Sequence, residues 1–263
     1  PQLSEVNLNS KALTTTVSMK LRPSKRVQIN TVLSSGFRNP NIDDIGKIRE
    51  NNGLLVVPNT FLKPEYAYNL DLGVDFRSLN NTNFVSLRGF STIISRHIGR
   101  DEFIVFSDTT TPDLSTIIYN GEEVTTISNK NLGNRFIHGF SIDGFSKIMS
   151  NLKLDYGLTY TKGDNNDTYG PLPSISPLFG SIALSYSKRG FNLKAVYKFS
   201  EAKNPSDYSF GGEDGLDETP FIVNSEGLLT YLGTPKWSDL SIYGSKNISS
   251  NVTLRMGLSN VFD

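Results

Sequence analysis

Apolar and polar side chains alternate along much of this chain. From residue 66 onward, Tyr66, Tyr68, Leu70, Leu72, Val74 and Phe76 share one parity, while Ala67, Asn69, Asp71, Gly73, Asp75 and Arg77 share the other. Successive side chains of a strand point to opposite faces, so one face here is apolar and the other polar or small. The same pattern recurs at Leu152, Leu154, Tyr156, Leu158 and Tyr160 against Lys153, Asp155, Gly157, Thr159 and Thr161. Phe191, Leu193, Ala195, Tyr197 and Phe199 oppose Asn192, Lys194, Lys198 and Ser200, and Val252, Leu254, Met256 and Leu258 oppose Thr253, Arg255, Gly257 and Ser259. Residues 13–21 and 27–37 alternate in the same way, and shorter pieces follow at 136–142, 178–186 and 240–242. Residues 84–96 read as extended, but their faces are mixed and take no assignment. The pattern predicts about ten strands, most near the ~9–11 residues of a tilted membrane strand.

The connections between these strands alternate in length. Short ones are expected at residues 23–25, 78–82, 147–151, 188–190 and 249–251, and long ones at 38–64, 97–134, 162–176 and 201–236. Asn120-Gly121 marks a hairpin inside the second long connection. In an up-and-down sheet successive turns fall on opposite rims, so all short turns share one rim and all long loops the other. Outer-membrane barrels have that asymmetry, and a soluble sandwich has no reason to keep it. The charges agree. Lys20, Asp71, Asp75, Lys153, Asp155, Lys194, Lys198 and Arg255 all fall on the polar parity of the clear strands. A lysine or arginine facing lipid at mid-bilayer costs roughly 2–4 kcal/mol.

Composition narrows the functions. The chain has 263 residues, zero formal net charge and no cysteine. A basic nucleic-acid footprint, a thiol nucleophile, a disulfide frame and a cysteine-held metal are therefore not expected. No apolar run reaches the ~20 residues of a spanning helix, and the opening PQLSEVNLNS has no signal-peptide pattern. Aromatics make up 11% within a hydrophobic fraction of only 37%, which suits strands with one apolar face and ringed ends.

Three segments carry a resemblance. Gly36-Phe37-Arg38-Asn39-Pro40, followed by Ile42-Asp43-Asp44, resembles the F-R-A-P strand-end motif of TonB-dependent outer-membrane receptors, with Asn39 in place of alanine. Asn59-Thr60-Phe61-Leu62-Lys63-Pro64-Glu65 is similar to their N-P-x-L-K-P-E segment, with Thr60 in place of proline. Gly257-Leu258-Ser259-Asn260-Val261-Phe262-Asp263 is similar to a G-x-x-N-L-F-D motif near their C-terminus. The resemblance implies an all-β fold: residues 1–263 as the C-terminal part of an antiparallel up-and-down transmembrane barrel of 22 strands. It also implies an N-terminal plug, earlier strands and a closing strand elsewhere in the polypeptide. A partial barrel has open edges that lipid cannot satisfy, so this piece is expected not to insert alone.

The implied function is energy-coupled import across the outer membrane of a Gram-negative bacterium, without enzymatic activity, cofactor or resident metal. Its partners would be membrane lipid, the rest of the same polypeptide, the TonB complex through the plug, and a small-molecule ligand, with no nucleic acid. The ligand-facing candidates are Arg38, Asn39, Asp43, Asp44, Arg96 and His97, with Arg49 and Arg88 as further cations. An iron–siderophore or another metal chelate is the first expectation; glycan, haem and cobalamin stay open. The resemblance implies a histidine between the first two motifs for a haem importer; residues 41–58 contain none, which lowers haem and leaves His97, in another loop, as the candidate ligand. His138 reads as a strand or rim residue. The acidic runs 213–218 and 164–167 read as solvated loops, since neither has the graded oxygen spacing of a calcium loop. A passive porin-like barrel and a soluble β-meander binding protein remain as rival classes.

Overall fold

The computed structural model describes residues 11–261 apart from 105, 109, 110, 167, 168, 212 and 226. Ten strands form one antiparallel sheet whose spatial order is the chain order. They are β1 (Thr16–Leu21), β2 (Val27–Arg38), β3 (Glu65–Arg77), β4 (Asn83–Ser95), β5 (Arg135–Met149), β6 (Leu152–Gly163), β7 (Phe179–Lys188), β8 (Phe191–Ser200), β9 (Trp237–Asn247) and β10 (Thr253–Leu258). The alternating pattern thus becomes a meander, with every short turn on one rim and every long connection on the other.

Register carries the two faces across the sheet. Leu72 lies opposite Thr31 and Gly89, Leu184 opposite Leu154 and Ala195, and Ile242 opposite Ala195 and Leu258. Directly paired residues share a face, so the apolar parities join into one continuous surface. Among the described residues no second layer covers it: Leu72 is 50% exposed and Leu254 54%. A soluble sheet would bury such a face.

The buried apolar side chains are elsewhere. Ile45, Leu55, Val56, Leu62, Ile98, Val124, Ile127 and Leu132 all lie in the first two long connections, and Leu172 and Tyr208 lie in the other two. Those first two connections build a second, five-stranded sheet. Its centre is Glu122–Asn131, which pairs with Thr116–Tyr119 across the Asn120-Gly121 turn, with Ile98–Glu102, and in parallel with Leu54–Val56. Asn120 and Gly121 both have positive φ, 50° and 90°, as a two-residue hairpin turn of this hand requires. The mixed stretch 97–134 resisted assignment from sequence because its strands are short and the Leu54–Val56 partner lies far away in the chain.

β4 also acquires its faces. Phe84, Phe90 and Ile94 point to the polar side, while Gly89, Ser91 and Ser95 sit on the apolar side. Phe84 stacks on Phe145, ring centroids 6.0 Å apart, and carries the Arg77 guanidinium 4.7 Å from its centroid. The Phe90 ring covers Gly139, where a Cβ would come within 2.6 Å of it. An aromatic ring laid over a glycine explains the muddled pattern: the ring replaces the missing side chain.

The complete register carries the apolar parity beyond the alternating stretches read from the sequence. The apolar parity is uncharged only in the strand bodies. Lys162, Lys188 and Lys246 extend it at the strand ends, where long side chains can carry their charge past the apolar zone. At mid-strand the two faces differ sharply. In the intact protein refolded into vesicles, Leu184→Arg is expected to lose about 2–4 kcal/mol of unfolding free energy in urea, and the neighbouring Ser185→Arg under 1 kcal/mol. Equal losses would show that the two faces share one environment.

Candidate ligand-binding mouth

The first two long connections are tied together by polar side chains rather than left in solvent. Asn41 caps a short helix, α1 (Ile42–Gly46): its side chain accepts from the Asp44 amide at 2.9 Å, and the Asp44 carboxylate accepts from the Asn41 amide at 2.9 Å. Arg38 at the end of β2 pairs with Asp44 at 2.5 Å. Asn129 donates from its side chain to the Asp44 carbonyl at 3.0 Å, and Asn59 donates to the Asn129 carbonyl at 2.8 Å. Asn131 accepts from the Lys63 amide and donates to the carbonyls of Lys63 and Arg96. Glu65, the first residue of β3, accepts from the Ile98 amide at 2.7 Å and lies 3.1 Å from His97 Nδ1. Beneath these bonds Ile45, Leu62 and Ile98 form a buried apolar cluster.

The motif residues therefore meet. Phe37 leads β2 into Arg38, Pro40 is buried, and Asn59, Leu62 and Lys63, in the segment that leads into β3, hold the opposite side of the frame with Glu65. Of the ligand-facing candidates, Asn39 and Asp43 are exposed at the α1 entry, and Arg38 keeps 44% of its side chain exposed while paired. Arg96 is exposed, with its guanidinium 5.6 Å from the Tyr66 ring centre. His97 is buried under Glu65 and the loop sheet. His138 points to the apolar side, opposite Ser91 and Lys162. In the third motif, Asn260 donates its amide to Asp239 at 3.0 Å and Val261 donates to the Leu240 carbonyl, so the segment folds back onto β9. Phe262 and Asp263 lie outside the described residues.

The acidic run of the last long connection is spent on protein partners, which the sequence reading missed. Asp214 is almost fully buried and pairs with Lys203 at 3.0 Å. It also accepts from the Ser209 amide at 3.1 Å and from the Ser174 amide in the preceding connection. Lys203 in turn sits over the Tyr208 ring at 4.4 Å, and the Tyr208 hydroxyl contacts Thr234 Oγ1 at 2.6 Å. Asp217 accepts from the side-chain amides of Asn51 and Asn52 at 3.2 and 2.7 Å. Arg100 of the loop sheet donates to the Gly211 carbonyl and lies 3.7 Å from Glu213. In the other acidic run, Asp164 accepts from the fully buried Arg135 at 3.0 Å, and Asp167 is outside the described residues. The only sequence clue to this hub was an acidic cluster beside an isolated lysine.

All four long connections thus form one roof at one rim of the sheet. Beneath it, on the polar side, lies a cavity of about 820 Å³ whose lining includes Asp143, Lys198, Lys203, Tyr208, Glu213 and Trp237. A second cleft of about 450 Å³ separates the acidic loop from the loop sheet at Arg49, Asn51, Arg100, Asp217 and Tyr231. Both are within the size range of small-molecule sites, and the first mixes aromatic walls with a few charges. Among the described residues no cluster of carboxylates and histidines could hold a metal ion.

A meander with an uncovered apolar face, a polar inner face and long loops gathered at one end is the architecture of an outer-membrane β-barrel. Residues 4–261 match the family described as TonB dependent receptor-like, beta-barrel. The chain belongs to that family and forms part of its barrel. It is 26% identical over 258 residues to hemoglobin-binding protein A of Haemophilus influenzae, covering 91% of this chain and 23% of that protein. It is 27% identical over 255 residues to hemoglobin-haptoglobin utilization protein B of Neisseria meningitidis, covering 91% and 30%. The chain therefore spans about a quarter to a third of these relatives. In fold it is similar to the siderophore receptor PirA of Acinetobacter baumannii, with a TM-score of 0.70 at 18% identity over 95% of this chain and 37% of that one. It is also similar to a mutant of the ferric enterobactin receptor PfeA of Pseudomonas aeruginosa in complex with enterobactin, with a TM-score of 0.69 at 16% identity over 95% and 35%. The family consists of receptors and transporters rather than enzymes, and its members are outer-membrane proteins of Gram-negative bacteria.

Two outcomes test the roof. Asp214→Ala leaves Lys203 buried without its partner, a loss of about 3–5 kcal/mol for a buried pair. Limited proteolysis of the intact protein should then cut within residues 201–236 at least tenfold faster, and wild-type resistance would contradict the hub. Glu213 behaves in the opposite sense. Burial raises its pKa above the ordinary 4.5, against the pull of Arg100. A raised carboxyl pKa costs stability once the group ionises, and the cost vanishes below the unfolded pKa. Glu213→Gln is therefore expected to protect the loop at neutral pH. That gain should shrink as pH falls through the raised pKa and disappear below about 4.5. A gain that persists at pH 4 would exclude this cause.

Proposed function

We propose that this chain is the C-terminal part of the barrel of a TonB-dependent outer-membrane importer, taking up an iron–siderophore or another metal chelate. The plug, the earlier strands and the contact with the TonB complex belong to the rest of the polypeptide, consistent with the small share of the relatives that the chain spans. The observation that carries the reading is the roof over an inward-facing cavity: loops pinned by Asp214, Asp217 and Arg100 above a wall of polar strand faces. In this reading Arg38, Asn39, Asp43 and Arg96 lie at the entry, Lys198 and Trp237 inside it, and His97 and Asp44 support the frame.

A second reading is favoured by the relatives, which are named for haemoglobin binding. Haem from a haemoglobin-type carrier would then be the cargo. His97 is buried against Glu65 and His138 faces the apolar side, so neither is placed to ligate haem iron from the cavity.

Growth tests separate the readings. A strain lacking the full-length gene is supplied with ferric siderophores or with haemoglobin as sole iron source, with and without a functional TonB system. Restored growth on a siderophore, only with TonB, is the expected result. Growth on haemoglobin alone selects the second reading. Uptake independent of TonB would overturn both and leave a passive barrel.

A further inference from the structure

The rim formed by the short turns is basic, with the turn cations gathered in two of its five connections. Its five connections, residues 22–26, 78–82, 150–151, 189–190 and 248–252, contain no Asp or Glu and carry Arg22, Lys25, Arg26 and Arg189. The long connections at the other rim are rich in Asp and Glu. One part of the cationic rim faces outward rather than toward the lumen. Lys188 of β7, Phe191 of β8 and Lys246 of β9 are paired in one row across three adjacent strands, on the parity that carries Leu184, Leu193 and Ile242. Adjacent strands are ~4.8 Å apart, so the two lysines flank the Phe191 ring at about 10 Å between their backbones. All three residues are exposed, and the Tyr186 ring lies 6.4 Å from that of Phe191. Lys246 Nζ donates to the Arg189 carbonyl at 3.3 Å, which draws it toward the turn that bears the Arg189 guanidinium. Among the described residues no carboxylate lies within ion-pair distance of any of the three cations.

We propose that Lys188, Arg189 and Lys246, set around Phe191, form a binding site for the phosphate of an anionic phospholipid headgroup in the leaflet on the short-turn side. A lysine on the lipid-facing parity is tolerated only where its ammonium reaches the polar boundary, and two such lysines in one row bring two unpaired charges to the same boundary. The rows above them are apolar and face hydrocarbon, so an acyl chain can lie along Leu193 and Tyr186 while its phosphate meets the ammonium groups. A ring between two cations at the interface suits an amphiphile, and the lack of any protein carboxylate leaves the charges to an external anion. The inference rests on the outward face alone and stands whichever cargo the barrel carries.

The test uses the intact protein, extracted in detergent and titrated with phosphatidylglycerol or phosphatidylcholine, with retained lipid counted by native mass spectrometry. Wild type should retain phosphatidylglycerol in preference to phosphatidylcholine. Lys188→Gln with Lys246→Gln should lower phosphatidylglycerol retention on the order of tenfold and leave phosphatidylcholine unchanged. Lys147→Gln with Lys153→Gln, which alters cations of the same rim that face the polar side, should change neither. Heat-modifiable mobility reports that each variant is folded. No preference in wild type, an unchanged double variant, or an equal fall in the inward-facing control would each overturn the proposal.

Discussion

Hydrocarbon offers a peptide backbone no hydrogen-bond partner, and that constraint organises this chain. Each N–H and C=O within the bilayer must be satisfied by a neighbouring strand. The ten-stranded meander does this from β1 to β10, its register shifting at Lys147–Met149 beside a short turn. Once the backbone is so paired, the side chains have only two places to go. In the strand bodies the sheet sends leucine one way and lysine and aspartate the other. The inward polar groups then satisfy each other, as where Asp75 accepts from Gln28, Asn30 and Ser86. Within the described residues β1 and β10 each pair on one side only.

The hydrophobic effect in its ordinary form acts at one end of the molecule. The buried apolar side chains sit in the long connections, around Val124, Ile127 and the Ile45–Leu62–Ile98 cluster. The loops therefore behave as a small water-soluble layer resting on a membrane-embedded wall. Buried charges bind its pieces together: Asp214 with Lys203, Arg135 with Asp164, and Glu65 beside His97. Such groups are costly when left unpaired, so they favour one arrangement of the roof over looser ones. A cavity of defined shape beneath the roof follows from that rigidity.

The barrel was legible in the sequence because its rule is local and has a period of two. Leu72 and Asp71 declare their faces without knowledge of their partners. Where a partner intervenes, the signal fails. Phe90 looks misplaced until Gly139 is seen beneath its ring, and the short strand Leu54–Val56 means little until Glu122–Asn131 arrives from a distant connection. The three family motifs were visible as strings, but their work was not. Arg38, Asn59, Lys63 and Glu65 build the frame of the roof. Asp214 was misread as solvated because an acidic residue in a glycine-rich loop is usually on the surface; only its three partners reveal it as buried.

The central claim is that the parity of Leu72 meets acyl chains and the parity of Asp71 meets water. Residues 1–263 contain no cysteine, so once any cysteine elsewhere in the intact protein is replaced, single nitroxide labels can be placed at either position of the reconstituted protein. Power saturation with oxygen, which concentrates in hydrocarbon, and with a water-soluble nickel chelate reads the environment of each label. The account predicts that the label at residue 72 relaxes with oxygen and is shielded from nickel, and that the label at residue 71 does the reverse. A label at 72 that responds to nickel as strongly as one at 71 would contradict it.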